Sequence, residues 1–255
     1  MSYKAFLDVA LQAADAGEKV VRHYYDRNVE VEIKEDRTPV TIADIETEKA
    51  IKDVILGAFP DHGFYGEETG KTNADAEYLW LIDPIDGTKS FVRQYPFFST
   101  QIALMHNGEL VVGVSNGMMF NERAWACKGE GAFLNGKPLQ ISEITELDLS
   151  ALSTGNLPSI AATPQWANLG ELITKVHRIR GYGDFYHYHL LASGKIEIIV
   201  ESDLNILDIA ALTVINREAG AIVTDLQGND IDLDTSSMLA CVPALRQEVE
   251  GILGL

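Results

Sequence analysis

The sequence predicts a layered α+β fold in which helices and sheets alternate, and three observations predict it. Apolar residues recur at helical spacing near the start of the chain. From residue 98 to residue 134, short apolar strands follow one another through Asn-Gly and glycine-rich turns. After Ile141 the pattern changes to strands alternating with helices.

In chain order, Phe6, Val9, Ala10, Ala13, Ala14, Val20 and Val21 predict an amphipathic helix to about Tyr25. Residues 29–33 alternate as a strand, and 34–41 read as a polar loop broken by Pro39. A second helix is predicted over 43–59, ended by Pro60 and Asp61. Residues 64–68 and a polar loop lead to an apolar strand, 78–82, that runs straight into Asp83. Strands at 98–105, 110–116, 123–128 and 132–134 form an antiparallel meander turning at Asn107-Gly108 and Asn135-Gly136. Beyond it, strands at 151–154, 177–180, 196–200 and 221–224 alternate with helices near 166–175, 185–192 and 209–218. The change divides the chain into an α+β part, 1–140, and an α/β part, 141–255, without a linker, repeat or low-complexity tract.

With 255 residues, 46% of them hydrophobic, the chain can bury a substantial core. The balance of 38 acidic against 20 basic residues gives a formal charge of −18, which repels phosphate backbones and anionic headgroups. Nucleic-acid and membrane partners are therefore disfavoured, and an anionic substrate would need local cations, for which divalent metals are the obvious source. Cys127 and Cys241 form no CxxC or Cys/His metal spacing. The start lacks a basic region followed by an apolar run, and no apolar stretch approaches the roughly 20 residues that span a bilayer. A soluble cytoplasmic protein with reduced cysteines is expected.

The chemistry concentrates in Asp83-Pro84-Ile85-Asp86-Gly87-Thr88. Pro84 forbids a continued central strand and Gly87 permits an unusual turn, so both carboxylates can point to one spot. Hard cations take oxygen ligands, and Asp83, Asp86 and the Ile85 carbonyl form a metal edge that Glu67 would complete. Gly87-Thr88, followed by Lys89-Ser90-Phe91, reads as a helix N-terminus whose free amides suit a phosphate. A Thr88 hydroxyl bonded to Glu67 would orient an attacking water. Asp, Pro and Gly are also turn residues, but the full hexapeptide after a buried strand is far more specific than an acidic turn. A haloacid-dehalogenase-like phosphatase would need a nucleophilic Asp where Pro84 stands, and no P-loop segment occurs.

Gly66-Glu67-Glu68, the hexapeptide, Arg180 to Gly183, Asp208 and Glu218-Ala219-Gly220, in this order over nearly the whole chain, resemble the signature of the inositol monophosphatase family. The resemblance implies an αβαβα sandwich of the inositol monophosphatase/fructose-bisphosphatase type and a homodimer. It implies a Mg²⁺-dependent phosphomonoesterase, with two or three Mg²⁺ per site, acting on a small phosphorylated metabolite. Metal ligands would be Glu67, Asp83, the Ile85 carbonyl, Asp86 and Asp208, with Asp44 bearing on a further water at a metal. Asp208 otherwise reads as a helix N-cap, and it can be both.

Gly183-Asp184-Phe185-Tyr186, with Lys89-Ser90-Phe91, resembles the histidinol-phosphate phosphatase branch. Asp184 and Glu201 would offer carboxylates to the ammonium or imidazole of a cationic leaving group, beside Gly183. Inositol hydroxyls could use Glu201 too, and Asp184 also reads as an N-cap with Tyr186 and Tyr188 as packing. The alternatives are inositol phosphate or another sugar or nucleotide phosphate, and a non-catalytic metal-responsive binding protein, which would show a damaged ligand set. Here Glu67, Asp83, Asp86, Thr88 and Asp208 are all present. His187 and His189, two apart on a helix, do not share a face and make no metal pair. The glycines of 128–133 read as a tight hairpin rather than a phosphate loop.

Overall fold

A computed structural model describes residues 2–25, 31–33 and 39–255. Its first elements are α1 Lys4–Tyr25, β1 Val31–Ile33, β2 Pro39–Thr41, α2 Ile42–Ala58, β3 Gly63–Gly66, β4 Gly70–Thr72, β5 Tyr78–Asp86 and α3 Thr88–Val92. The meander follows as β6 Ser99–His106, β7 Glu109–Gly117, β8 Glu122–Cys127, β9 Ala132–Leu134 and β10 Lys137–Pro138. Then come β11 Ala151–Thr154, α4 Pro158–Ala161, α5 Gln165–Lys175, β12 Arg178–Arg180, α6 Asp184–Ala192, β13 Ile198–Ser202, α7 Ile206–Glu218, β14 Ile222–Thr224, β15 Ser237–Cys241 and α8 Arg246–Leu253.

Strand alternation explains the layers. In β5, Trp80 and Ile82 pack with Ala10, Ala13, Ile51 and Ile55 of α1 and α2, whereas Leu79 and Leu81 join the core built around α7. In β13, Glu201 bonds to α6 residues while Val200 lines an apolar recess with Leu169 of α5 and Leu253 of α8. The order is therefore α1/α2, an eight-stranded sheet, α6/α7, a five-stranded sheet, and α5/α8: the αβαβα sandwich. Covered on both sides, α7 buries residues around nearly its whole circumference, while α1 buries one face.

The eight-stranded sheet runs β10-β9-β8-β7-β6-β5-β3-β4, and its meander is antiparallel as predicted. Asn107 and Gly108, and Asn135 and Gly136, all have positive φ, the backbone such hairpins need. β3 joins β5 in parallel, with Gly66 opposite Ile82, which brings Glu67 beside Asp83. The five-stranded sheet, β12-β11-β13-β15-β14, is parallel across its first three strands and antiparallel beyond them.

Several expectations are corrected. Pro84 does not end β5; the strand continues to Asp86 with its pairing to β6 shifted between Asp83 and Asp86, an irregularity where proline's missing N–H costs no ladder bond. Pro39–Thr41 is strand β2 rather than loop, with proline at the first position, while 29–30 and 34–38 lie outside the described residues. The polar stretch after Glu68 contains β4, and β10, α4, β15 and α8 were not predicted. Cys127 and Cys241 are buried and unbridged. No helix among the described residues is long and apolar enough to cross a membrane.

Candidate active site

The alternation that points Leu79 and Leu81 toward α7 carries Asp83 to the same side, where α7 begins. Carboxylate oxygens of Asp83, Asp86 and Asp208 lie within 4.8 Å of one another. Asp83 is buried, while Asp86 and Asp208 each keep a partly open face. Thr100 Oγ1 donates to the Pro84 carbonyl at 2.8 Å and Ser99 Oγ to Asp86 Oδ2 at 3.0 Å, so β6 holds the irregular segment in place.

Two helices deliver acids by one device. Asp44 is the third residue of α2 and closes a capping box with Thr41, whose N–H and Oγ1 both donate to Asp44 Oδ2 at 2.7 Å. Asp208 is the third residue of α7 and closes one with Asn205, whose N–H donates to Asp208 Oδ2 at 3.0 Å. The N-cap expected at Asp208 is thus Asn205, a turn earlier.

Asp44 Oδ1 accepts from the Thr88 hydroxyl at 3.2 Å, and the Ile85 carbonyl accepts from it at 3.1 Å. The Glu67 partnership expected for Thr88 is replaced by these acceptors. Gly87 has φ +92°, and a Cβ there would meet the Phe97 carbonyl at 2.7 Å, so only glycine makes this turn. The helix that follows spans only 5 residues, so an anion there would be held by local amides more than by a dipole.

The charges repel one another. Burial, then Glu67, Asp86 and Asp208, push Asp83 well above the usual carboxylate range. Burial, then Asp208 and Asp184, do the same to Asp86, against the bond from Ser99. Burial raises Asp208 to about 6, against the Asn205 amide and Asp83 bonds. Asp44 is raised by burial and by Glu67, with the Thr41 and Thr88 bonds opposing. Asp83 Oδ1 is buried without any hydrogen-bond partner. An all-oxygen cluster of mutually repelling carboxylates, one with an orphaned oxygen, fits a hard divalent cation.

The sequence pattern described as the inositol monophosphatase family matches residues 2–253. The chain belongs to the inositol monophosphatase family. It is 33% identical over 249 residues to a histidinol-phosphatase of Chlorobaculum parvum, covering 97% of this chain and 96% of that one. It is 36% identical over 228 residues to a histidinol-phosphatase of Mycobacterium tuberculosis, covering 87% and 88%. The solved structure of extragenic suppressor protein suhB from Bartonella henselae superposes with a TM-score of 0.88 at 31% identity, covering 98% of both chains. As a member of this family the chain is a metal-dependent phosphomonoesterase acting on a small phosphorylated compound.

Gly183-Asp184 opens α6; the N-cap is Gly183 rather than Asp184, which is the first helical residue at φ +46°, a strained backbone of the kind that gathers at functional sites. Burial and the Glu201 charge raise Asp184 to about 6, with His187 opposing. Glu201 is only 2% exposed and its oxygens are occupied: Oε1 by the Asn156 N–H at 3.2 Å, Oε2 by Tyr188 Oη at 2.8 Å and His187 Nε2 at 3.0 Å. The glycines of the 128–133 hairpin give their amides to Glu218, at 3.0 Å from Gly129 and 2.9 Å from Gly131.

Sequence reasoning missed Glu48. This fully buried acid of α2 accepts from the Glu68 N–H at 2.7 Å and the Thr69 N–H at 2.9 Å. It lies so close under Gly66 that a Cβ there would stand 2.4 Å from its carboxyl carbon. Glu48 therefore fixes the turn that presents Glu67. The available signal was its place four residues after Asp44, on the same helix face.

Proposed function

We propose that this phosphomonoesterase uses Mg²⁺ to hydrolyse the monoester of a small cationic alcohol, with histidinol phosphate as its preferred substrate. The observation that carries the substrate choice is Asp184. It is a partly open carboxylate at the start of α6, the helix whose Tyr186, two residues on, gathers the half-buried rings of Tyr182, Phe120 and Phe97. A carboxylate and an aromatic cluster on the same helical turn suit a planar cation, by charge-assisted hydrogen bonding and cation–π attraction. The similarity to two histidinol-phosphatases supports the same reading. Glu201, with its oxygens already engaged, acts through α6 rather than by touching the leaving group.

Glu67, Asp83, Asp86, Asp208 and the Ile85 carbonyl would hold Mg²⁺, with two or three ions in the loaded site. Bound there, Mg²⁺ supplies Lewis-acid stabilisation of the phosphoryl oxygens and makes water more acidic. The chain's own residues do the rest. Thr88 gives its proton to Asp44 Oδ1 and keeps lone pairs for a proton of the attacking water. As that proton reaches Thr88 Oγ1, the threonine proton moves to Asp44; the departing alkoxide takes one proton from solvent and Asp44 returns one to solvent, so the count closes. The amides after Gly87 receive the phosphate oxygens. Asp184 holds the leaving group.

Phosphate release from histidinol phosphate, inositol 1-phosphate, a sugar phosphate and a nucleoside monophosphate, each with Mg²⁺ and with chelator, tests the proposal. The highest kcat/KM on histidinol phosphate is expected. Preference for inositol phosphate would overturn the substrate choice, and Mg²⁺-independent turnover would overturn the metal assignment.

A further inference from the structure

Ser99, Thr100 and Gln101 are consecutive polar residues in an otherwise apolar stretch of β6, and all are fully buried. Thr100 serves the Pro84 carbonyl. The other two begin a chain of hydrogen bonds that runs from β5 across β6 and β7 to α6 and β8. Ser99 Oγ donates to Asp86 Oδ2 at 3.0 Å, and Gln101 Nε2 donates to Ser99 Oγ at 2.7 Å. Gln101 Nε2 also donates across the sheet to Ser115 Oγ of β7 at 3.1 Å, its register partner. Ser115 Oγ lies 2.9 Å from His189 Nε2 of α6, and His189 Nδ1 lies 3.1 Å from Glu122 Oε2 of β8.

Each bond has a determinate direction. With Asp86 ionised, as it would be when ligating a metal, both ends are carboxylates that only accept, and the Gln101 amide nitrogen sends one proton each way. Ser99, having accepted from Gln101, commits its single proton to Asp86. Ser115 commits its own to His189 Nε2, so the ring proton sits on Nδ1 and goes to Glu122. Burial keeps the ring neutral by holding His189 below its ordinary pKa against the pull of Glu122.

Two further features show that the chain does more than fill space. Gln101 Oε1 is buried without a partner, a cost that an apolar residue of similar shape would avoid, so it is the two N–H donations that justify an amide here. In addition, His187, two residues before His189 and on another face of α6, binds Glu201 at 3.0 Å and Ser153 at 3.2 Å. The two histidines clip one helix to both sheets, and that helix starts at Asp184.

We infer that Gln101, Ser115 and His189 are positioning residues that hold the Asp86 carboxylate at a fixed angle and register α6 against it. Metal affinity and the placement of Asp184 are thereby tuned through one buried chain. The inference rests on the reading of Asp86 as a metal ligand.

Calorimetric titration of metal-free protein with Mg²⁺, beside the Mg²⁺ midpoint of turnover, tests it in wild type, Gln101→Met, Ser115→Ala and the double variant. Each single change should weaken Mg²⁺ binding about threefold to tenfold, below the roughly 10–100-fold loss seen when a ligand's own partner is removed, because Gln101 and Ser115 act on Asp86 through Ser99. The double variant should be no weaker than the worse single, because one cut severs the chain. Val112→Ala, a cavity in the neighbouring core, should lower Tm and leave Mg²⁺ affinity unchanged. Should Gln101→Met fail to fold, Ser115→Ala, which removes one hydroxyl, carries the test. Unchanged affinity in the chain variants, or an equal fall in Val112→Ala, would overturn the inference alone. Wild-type protein that neither binds Mg²⁺ nor turns over would overturn the reading of the site with it.

Discussion

Asp44 and Asp208 hold the same position in two different helices: each is the third residue, and each spends its Oδ2 on the N-cap of its own helix. The remaining oxygen of each is not used by the cap. In Asp44 it meets Thr88, and in Asp208 the carboxylate joins Asp83 and Asp86. A local folding signal thus aims the acids at the site, which makes the roles of capping and chemistry separable by substitution.

Asp208→Asn keeps a side-chain oxygen for the Asn205 N–H and removes only the charge. Turnover should fall at least about 100-fold, or roughly 3 kcal/mol of transition-state stabilisation. Tm measured in chelator should not fall. A Tm drop as large as that of Asp208→Ala would show that the charge serves the cap.

The same substitution gives a pH test. Asp208 is raised from 3.8 to about 6, so the stability tied to its protonated form is full below 3.8 and lost as pH rises through about 6. In chelator, the stability gap favouring Asp208→Asn should be small near about pH 4 and widen to at most roughly 3 kcal/mol above about pH 6. Mg²⁺ should close it by stabilising wild type. Chemical denaturation across pH would contradict the account if the gap were flat.

Glu48→Gln leaves one acceptor where two amides, those of Glu68 and Thr69, now donate. One buried N–H then loses its partner, at a cost of about 1–3 kcal/mol. If the turn positions Glu67, the Mg²⁺ midpoint of activity should also rise several-fold. Lower stability with an unmoved midpoint would reduce Glu48 to a packing role.

Asp184→Asn should raise KM for histidinol phosphate about tenfold, the equivalent of about 1.4 kcal/mol. KM for inositol phosphate, whose leaving alcohol is uncharged, should stay within about twofold. Steady-state kinetics on both substrates would refute the role of Asp184 if the two constants moved together.

What could be read from the sequence follows how far apart the cooperating residues lie. Asp83 to Thr88 were legible because the acids, the proline and the turn glycine are adjacent, and the strand before them is plainly apolar. Asp208 required the family resemblance, since by itself it marks only a helix start. The Thr88 to Asp44 bond is not legible in the sequence, because the capping box that swings Asp44 inward depends on the backbone at Thr41. Ser99, Gln101, Ser115 and His189 escaped notice because each is an ordinary polar residue in its own segment, and only strand register and helix facing bring them into line. Their one local trace was a polar triplet, Ser99 to Gln101, inside an apolar strand. Pro39 misled in the opposite sense, as a loop marker at a strand's first residue.

The central claim, that Asp83, Asp86 and Asp208 form the metal centre on which hydrolysis depends, is tested most directly by titrating Mg²⁺ into metal-free wild type and Asp86→Asn while following phosphate release. Wild-type activity should rise saturably from background and vanish with chelator. Asp86→Asn, folded with an unchanged circular dichroism spectrum, should remain at least about 100-fold slower at every Mg²⁺ concentration. Chelator-resistant turnover in wild type, or equal rates in the two proteins, would contradict it.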